Sequence, residues 1–165
     1  EEIVKSLFTN TNERISLEIL DKNLANYENK PALVTFNLSV DNGIKKSADK
    51  IILKPFLVFP YKEGSIDLDQ RKYGLELENL TNFEMEYKIT LQENMKIDFL
   101  PQTTVFSNEV GFIEMKYAIH ENQIIINQKS HTKMLDIEVK KLPLWNEFVK
   151  NCNKMYNQSI VLKNE

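Results

Sequence analysis

The stretch Phe83-Glu84-Met85-Glu86-Tyr87-Lys88-Ile89-Thr90-Leu91-Gln92 alternates apolar and polar side chains over ten consecutive positions. Successive side chains of a β-strand point to opposite faces, so a period of two indicates a strand with one buried face and one face in water. Such half-buried strands are typical of antiparallel sheets, which can cover a core on one side only. The stretch therefore predicts an antiparallel β-protein.

The same alternation recurs in five other segments, which are residues 15–19, 34–40, 73–77, 112–120 and 135–139. Turn-forming residues separate them, such as Asp41-Asn42-Gly43 and Lys62-Glu63-Gly64-Ser65. Glu121-Asn122 lies between two apolar-rich segments and predicts a β-hairpin. Many short strands with short connections favour a sandwich or a barrel. We interpret residues 54–70, where Pro55 and Pro60 interrupt the pattern, as a long crossover within one sandwich; two small β units joined there are the alternative.

Residues 143–157 follow a different period. Their apolar side chains recur every three or four positions, as in an amphipathic helix: Leu144, Trp145, Phe148, Val149, Cys152, and Met155 or Tyr156. Pro143 suits the first helical position, and the opposite, wet face would carry Asn146, Glu147, Lys150, Asn151 and Lys154. We therefore predict an all-β, immunoglobulin-like antiparallel β-sandwich with one C-terminal amphipathic helix near 143–157. Residues 1–165 would form a single domain.

Composition excludes several classes of function. The chain has 165 residues with a net charge of −3 and a pI of about 5.6, whereas nucleic-acid-binding domains are usually basic. Its apolar runs, such as Ile124-Ile125-Ile126, are far shorter than the ~20 residues of a membrane-spanning helix. One cysteine allows no internal disulfide, so it does not indicate the compartment. Because the chain opens on Glu1 without a methionine or a signal region, we expect an excised domain or a processed fragment.

The reactive side chains are few. Cys152 with His120 or His131 is the one combination that could make a thiol nucleophile, but Cys152 lies on the apolar stripe of the predicted helix, where a neutral thiol packs as a small hydrophobe. The two histidines lie on neighbouring strands and could approach across a ladder. They lack a third ligand at a zinc-binding spacing, and His120 falls in a polar strand register, which predicts solvent exposure.

The other candidate groups also have simple structural interpretations. Asp67 and Asp69 offer two carboxylates for Ca²⁺, which needs more oxygen ligands. The carboxylate pairs Glu76 with Glu78 and Glu84 with Glu86 share a strand face, as solvating side chains do. Three aromatic residues could stack on a sugar or pack in the core, with core favoured for most: Tyr61, Tyr73 and Phe106. We predict no catalytic, cofactor-binding or metal-binding residue and no cofactor, and leave any ligand-binding residue open.

The order of several segments resembles a known family. Lys54-Pro55-Phe56 leads to Asp67-Leu68-Asp69-Gln70-Arg71-Lys72-Tyr73, and a later segment reads Ile97-Asp98-Phe99-Leu100-Pro101. The chain continues through Leu142-Pro143-Leu144-Trp145-Asn146-Glu147-Phe148 and closes on Ile160-Val161-Leu162-Lys163. This order is similar to the C-terminal β-sandwich domain of unknown function that follows the transglutaminase-like core in Bacteroidetes envelope proteins.

The resemblance implies a non-catalytic accessory domain that supports or positions the transglutaminase-like core, or mediates interactions. It implies a periplasmic or extracellular location in the cell envelope, and the upstream core of the same chain as partner. The family's cysteine-histidine-acid machinery belongs to that core, and no residue here matches it. A carbohydrate- or protein-binding adhesive module is the alternative. A protein or glycan ligand fits either interpretation; we expect no nucleic acid and no membrane span.

Overall fold

The computed structural model describes residues 15–23, 33–40, 44–47, 49–69 and 71–164. Within these ranges the chain is mostly β-strand, and every strand pairing is antiparallel. The first six strands are β1 (Ile15–Asn23), β2 (Leu33–Val40), β3 (Ile44–Ser47), β4 (Lys50–Leu53), β5 (Leu75–Glu76) and β6 (Asn82–Thr90). The others are β7 (Met95–Phe99), β8 (Thr104–Ser107), β9 (Gly111–His120), β10 (Gln123–Thr132), β11 (Asp136–Ile137) and β12 (Ile160–Asn164).

Four strands in the order β6-β10-β9-β8 form the larger sheet, called sheet I below. The alternation that begins at Phe83 is confirmed, because β6 alternates exposed and half-buried residues along its whole length. The hairpin at Glu121-Asn122 is also confirmed: β9 pairs with β10 throughout, and Glu121 has a positive φ of 53°. Two-residue hairpin turns need such a backbone conformation.

A second sheet, called sheet II below, has the order β3-β4-β12-β7. Its closing strand β12 lies between β4 and β7, so the end of the chain completes the sheet. Two smaller ribbons pair β1 with β2 and β5 with β11. The predicted turn at residues 41–43 lies outside the described residues; beyond it β3 pairs with β4.

One helix, α1 (Leu142–Tyr156), follows a short 3-10 turn at Val139–Lys141 and confirms the C-terminal helix to within one residue at each end. Its buried stripe packs into one apolar core with the inner faces of both sheets, represented by Phe148, Ile113 and Leu162. The result is a sandwich-like β-fold with a C-terminal helix, as predicted. The immunoglobulin-like strand order and the single domain over residues 1–165 stay predictions.

The predicted crossover at residues 54–70 lies in the connection from β4 to β5, of which residues 54–69 and 71–74 are described and contain no helix or strand. The predicted strand at residues 135–139 differs from the structure. Only Ile137 of the predicted strand at 135–139 is buried, and Leu135 and Val139 are more than two-fifths exposed. The prediction was wrong there because the β5–β11 ribbon is two residues long, and Val139 already belongs to the 3-10 turn.

No helix in the described part of the chain is long and apolar enough to span a membrane.

Candidate functional site

Side chains of α1 bind the backbone of the crossover at alternate residues. Tyr156 Oη donates to the Pro60 carbonyl oxygen at 3.0 Å, and Asn153 Nδ2 donates to the Lys62 oxygen at 3.0 Å. Further along, Trp145 Nε1 donates to the Gly64 oxygen at 2.6 Å. These contacts satisfy backbone carbonyls that no neighbouring strand reaches, so the helix substitutes for a strand partner.

Asn146 completes this set, which we call the crossover clamp: Trp145, Asn146, Asn153 and Tyr156 on the helix, and residues 60–66 on the crossover. The Asn146 amide donates to the Ile66 oxygen and accepts from the Ile66 nitrogen, both at 2.8 Å. This two-bond contact has the donor and acceptor pattern of a strand neighbour. The prediction that Asn146 lies on the wet face of the helix is therefore wrong; its polar side chain is used inside the fold.

Tyr61 is the crossover residue that packs most extensively against other aromatic rings. It adopts a positive φ of 66°, which is uncommon for a large side chain and costs about 1–3 kcal/mol. Its ring contacts those of Phe83, Trp145 and Phe148, and its hydroxyl hydrogen-bonds the Thr81 hydroxyl. Desolvation raises the pKa of Tyr61, so it stays a neutral phenol. Packing around the ring holds the strained backbone in place.

A row of polar side chains continues along the inner face of β10, at Gln128, Ser130 and Thr132, all buried. Thr132 is satisfied, since its hydroxyl accepts from the Thr81 nitrogen at 2.9 Å and lies 3.2 Å from the Thr81 hydroxyl. Gln128 is 1% exposed, and neither polar atom of its amide has a hydrogen-bonding partner among the residues that the structure describes. Buried polar groups are nearly always paired, so this amide is exceptional, as is the neighbouring Ser130 hydroxyl.

Ser130 lies between these two residues on the same face. Its hydroxyl makes no hydrogen bond of good geometry, although it is close enough to Tyr156 to oppose slightly the rise in that residue's pKa. Desolvation dominates and raises the pKa of Tyr156 well above its usual value. The row was not identified from the sequence. The signal was present, because Ile124 and Ile126 begin an alternation that places Gln128, Ser130 and Thr132 on the same inner face.

Cys152 is buried on the apolar stripe of α1, as predicted. Desolvation raises the pKa of its thiol to about 12, so the thiol is protonated at neutral pH. A nucleophilic cysteine needs the thiolate and a partly exposed, electropositive setting. In this environment the thiol is a packing group.

The two histidines lie away from Cys152 and from each other. Both fall in the outward register of sheet I, whereas α1 packs on its inner face, where Phe148 covers Gly111. His120 is opposite Gln123 and exposed, as predicted, and His131 lies eight residues further along β10, about 27 Å away at ~3.4 Å per residue. The register therefore rules out an approach of the two rings across the ladder. The His131 ring stacks on Phe112 with centroids 4.9 Å apart.

The candidate carboxylates are exposed. Asp67 Oδ1 accepts from the Asp69 nitrogen at 3.0 Å, which is a local turn contact. Glu84 pairs with Lys129 at 3.2 Å and Glu86 with Lys88 at 3.0 Å. Among the residues that the structure describes, no group of three or more His, Cys, Asp or Glu side chains is placed to hold a metal ion.

The three candidate aromatic residues have separate roles. Tyr61 packs in the clamp, and Phe106 packs partly buried against the core, as favoured for most of them. Tyr73 instead is 80% exposed. It lies just before β5, beside Arg71, whose guanidinium donates to the backbone oxygens of Tyr73 and Gly74 at 2.9 Å.

These sheets, this helix and this clamp define an antiparallel, sandwich-like β-protein whose C-terminal helix is bound to a long crossover. The chain belongs to the DUF3858 family, described as "Domain of Unknown Function with solved-structure structure": residues 49–162, more than half of the chain, match it. The match begins just before β4 and ends within β12, so it includes the crossover, the clamp and the core. No curated protein matches the sequence.

A solved structure has a similar fold. It is a crystal structure from Parabacteroides distasonis ATCC 8503, described as a "putative protease", with a TM-score of 0.51 and 16% sequence identity. The similar region covers 63% of this chain and 20% of that one. At this identity the likeness concerns the fold. The chain thus spans about a fifth of the solved relative's length.

Proposed function

We propose that this chain is a non-catalytic accessory domain of a larger cell-envelope protein, which supports or positions a neighbouring transglutaminase-like domain. The proposal rests on the buried positions of the thiol and hydroxyl side chains. The one thiol is buried and protonated, and the buried hydroxyls of Tyr61 and Thr132 are bound in structural contacts. These three buried groups thus serve packing and hydrogen bonding.

The relation to the Parabacteroides structure supports a place within a longer chain. The similar fold makes up a fifth of that protein, which is described as a "putative protease". Transglutaminase-like folds use a cysteine, a histidine and an acid, and the resemblance noted in the sequence assigns that machinery to an upstream domain. A periplasmic or extracellular location follows from the same resemblance.

The test compares two variants of the natural full-length protein. Cys152→Ala should leave any hydrolytic or acyl-transfer turnover unchanged, because the buried thiol takes no part in it. Deletion of residues 49–162 should lower the melting temperature of the remaining protein. Turnover by the 165-residue chain that Cys152→Ala abolishes would overturn the proposal.

A further inference from the structure

Sheet II brings together lysines that are far apart in the sequence. Lys163 of β12 is directly opposite Lys50 on one side and Lys96 on the other. Directly opposite residues of antiparallel strands lie about 5 Å apart and share a face. Three lysines therefore form a row across three neighbouring strands of sheet II. We call it the basic row.

The buried residues show which face this is. Ile51 and Leu162 are opposite each other and lie in the core, so their neighbours along the strands point outward. Lys50 and Lys163 are about half exposed, with side-chain exposures of 51% and 45%. The basic row thus lies on the outer face of sheet II.

An apolar row lies beside the basic row on the same face. Val161 is opposite Ile52 on one side and Phe99 on the other, and Lys45 of β3 is opposite Ile52. A register shift between Val161 and Leu162 brings Phe99 to the same face as Lys96, three residues earlier on β7. Phe99 is 56% exposed, an unusual position for a large aromatic ring. An apolar strip bordered by charged side chains is the usual arrangement of a protein–protein interface.

The charge of this face differs from that of the rest of the chain. The two rows carry four lysines. Asp98 accepts from Lys50 at 2.8 Å and lies 3.8 Å from Lys163, and Asp49 is near enough to help raise the pKa of Lys50. The whole chain carries −3. On the outer face of sheet I, by contrast, the lysines and glutamates balance in three ion pairs: Lys88–Glu86, Lys116–Glu114 and Lys129–Glu84.

We propose that the outer face of sheet II is the surface on which this domain docks against its neighbouring domain, through acidic and apolar side chains of that neighbour. The inference rests on the proposed function, because the partner is the adjoining domain of the longer chain. The lysines of this face favour a partner with acidic side chains, and the apolar row favours a protein surface that also offers apolar side chains.

Acetylation of lysines in the natural full-length protein tests the docking surface. The outer face of sheet I supplies matched controls, since Lys88, Lys116 and Lys129 have exposures of 58%, 56% and 49% and each pairs with a glutamate. If no partner covers sheet II, Lys50 and Lys163 should react with sulfo-N-hydroxysuccinimide acetate at rates similar to those of the three sheet I lysines. With the domain docked, we expect them to react several-fold more slowly at low ionic strength, and the difference to shrink in 1 M salt, where the Debye length is about 3 Å.

A paired variant strengthens the test. Lys50→Glu with Lys163→Glu should lower the melting temperature of the full-length protein and speed acetylation of Lys96, whereas Lys88→Glu with Lys129→Glu should change neither. All four side chains are half exposed, so both variants should fold. Circular dichroism checks that they do.

Each other outcome overturns the inference in a recognisable way. Equal rates at both sheets, or slower acetylation of the sheet I lysines, would reject this docking surface while leaving an accessory domain intact. Protection that grows with protein concentration would assign the face to a second copy. Binding to phosphatidylserine vesicles that the Lys50→Glu/Lys163→Glu variant loses would assign it to a lipid surface. A natural gene product without a neighbouring domain would overturn the proposed function as well.

Discussion

Trp145 Nε1 donates a 2.6 Å hydrogen bond to the carbonyl oxygen of Gly64, a residue 81 positions earlier in the chain. The indole also packs against both Tyr61 and Phe148, so one side chain joins the helix, the crossover and the aromatic part of the core. A Cβ at Gly64 would lie 3.3 Å from Val149 Cγ2 and 3.4 Å from Trp145 Cζ2. The crossover thus approaches the helix as closely as a glycine allows.

Asn146→Leu tests the crossover clamp. The substitution keeps side-chain size but removes both hydrogen bonds to Ile66, leaving a half-buried N–H and C=O without partners. We expect the free energy of unfolding to fall by about 2 kcal/mol in urea titrations. Asn151→Leu is the control, because Asn151 Nδ2 contacts only the Glu147 carbonyl within the helix. Equal effects of the two substitutions would show that the clamp adds no stability.

Gly111→Ala tests the contact between β9 and α1. A Cβ at this position would lie 2.8 Å from three carbons of the Phe148 ring, closer than such atoms pack. We expect a loss of about 1–3 kcal/mol from overpacking, measured by urea unfolding. In a Phe148→Leu background the ring is gone, so the same substitution should cost clearly less. An unchanged cost in that background would contradict the assigned clash.

Gln128→Met tests the unpartnered amide in the core. Methionine has a similar shape and no polar atoms to satisfy, so we expect the free energy of unfolding to rise by about 1 kcal/mol. Thr132→Val is the opposite control: it removes a hydroxyl bonded to Thr81 and should lower stability by a similar amount. A loss of stability in Gln128→Met would show that the amide has a polar partner in solution.

Stability should fall with rising pH above about 9. The Cys152 thiol has a pKa raised from 9.0 to about 12, so between these values the unfolded state has lost a proton that the folded state keeps. The unfolding free energy then decreases by about 1.4 kcal/mol per pH unit for this group. Burial raises the pKa of Tyr117 from 10.0 to about 12, so this residue also lowers the unfolding free energy as the pH rises above 10.

Cys152→Ala isolates the part due to the thiol. Urea titrations at several values between pH 8 and 10, with a reductant present, should show a smaller pH slope for the variant, whatever its offset at pH 8. Slow reaction of the native wild-type thiol with a thiol reagent would agree with the buried position. An identical slope in both proteins would show that the thiol is not protected by the fold.

Much of the β-structure was predictable from local pattern. The first eight residues of the ten-residue alternation beginning at Phe83 lie in β6, and the helix near 143–157 was found to within a residue at each end. Both succeed because their periodicity repeats over several turns or rungs, so the burial of one face is written into neighbouring residues. The prediction failed at Val139, where too few strand residues remain for the period to mean anything.

The candidate site was less predictable, because its contacts join distant segments. Nothing near Asn146 indicates that its amide binds Ile66, and the helical pattern assigned it to solvent. Gln128 could have been found, since it continues the alternation that Ile126 begins, but its missing partners are a property of the packed core.

The sequence by itself determined the long alternating strands such as β6 and β9, the helix and the buried position of Cys152, because each depends on a hydrophobic period that short-range geometry sets. Only the tertiary structure decided that the two histidines are far from the thiol and that the crossover is clamped to the helix. It alone placed Lys50, Lys96 and Lys163 in one row, since antiparallel pairing brings residues 113 positions apart to about 5 Å. The pairing of strands that are distant in the sequence is not encoded in any local pattern, and it is this pairing that brings scattered charges onto one surface.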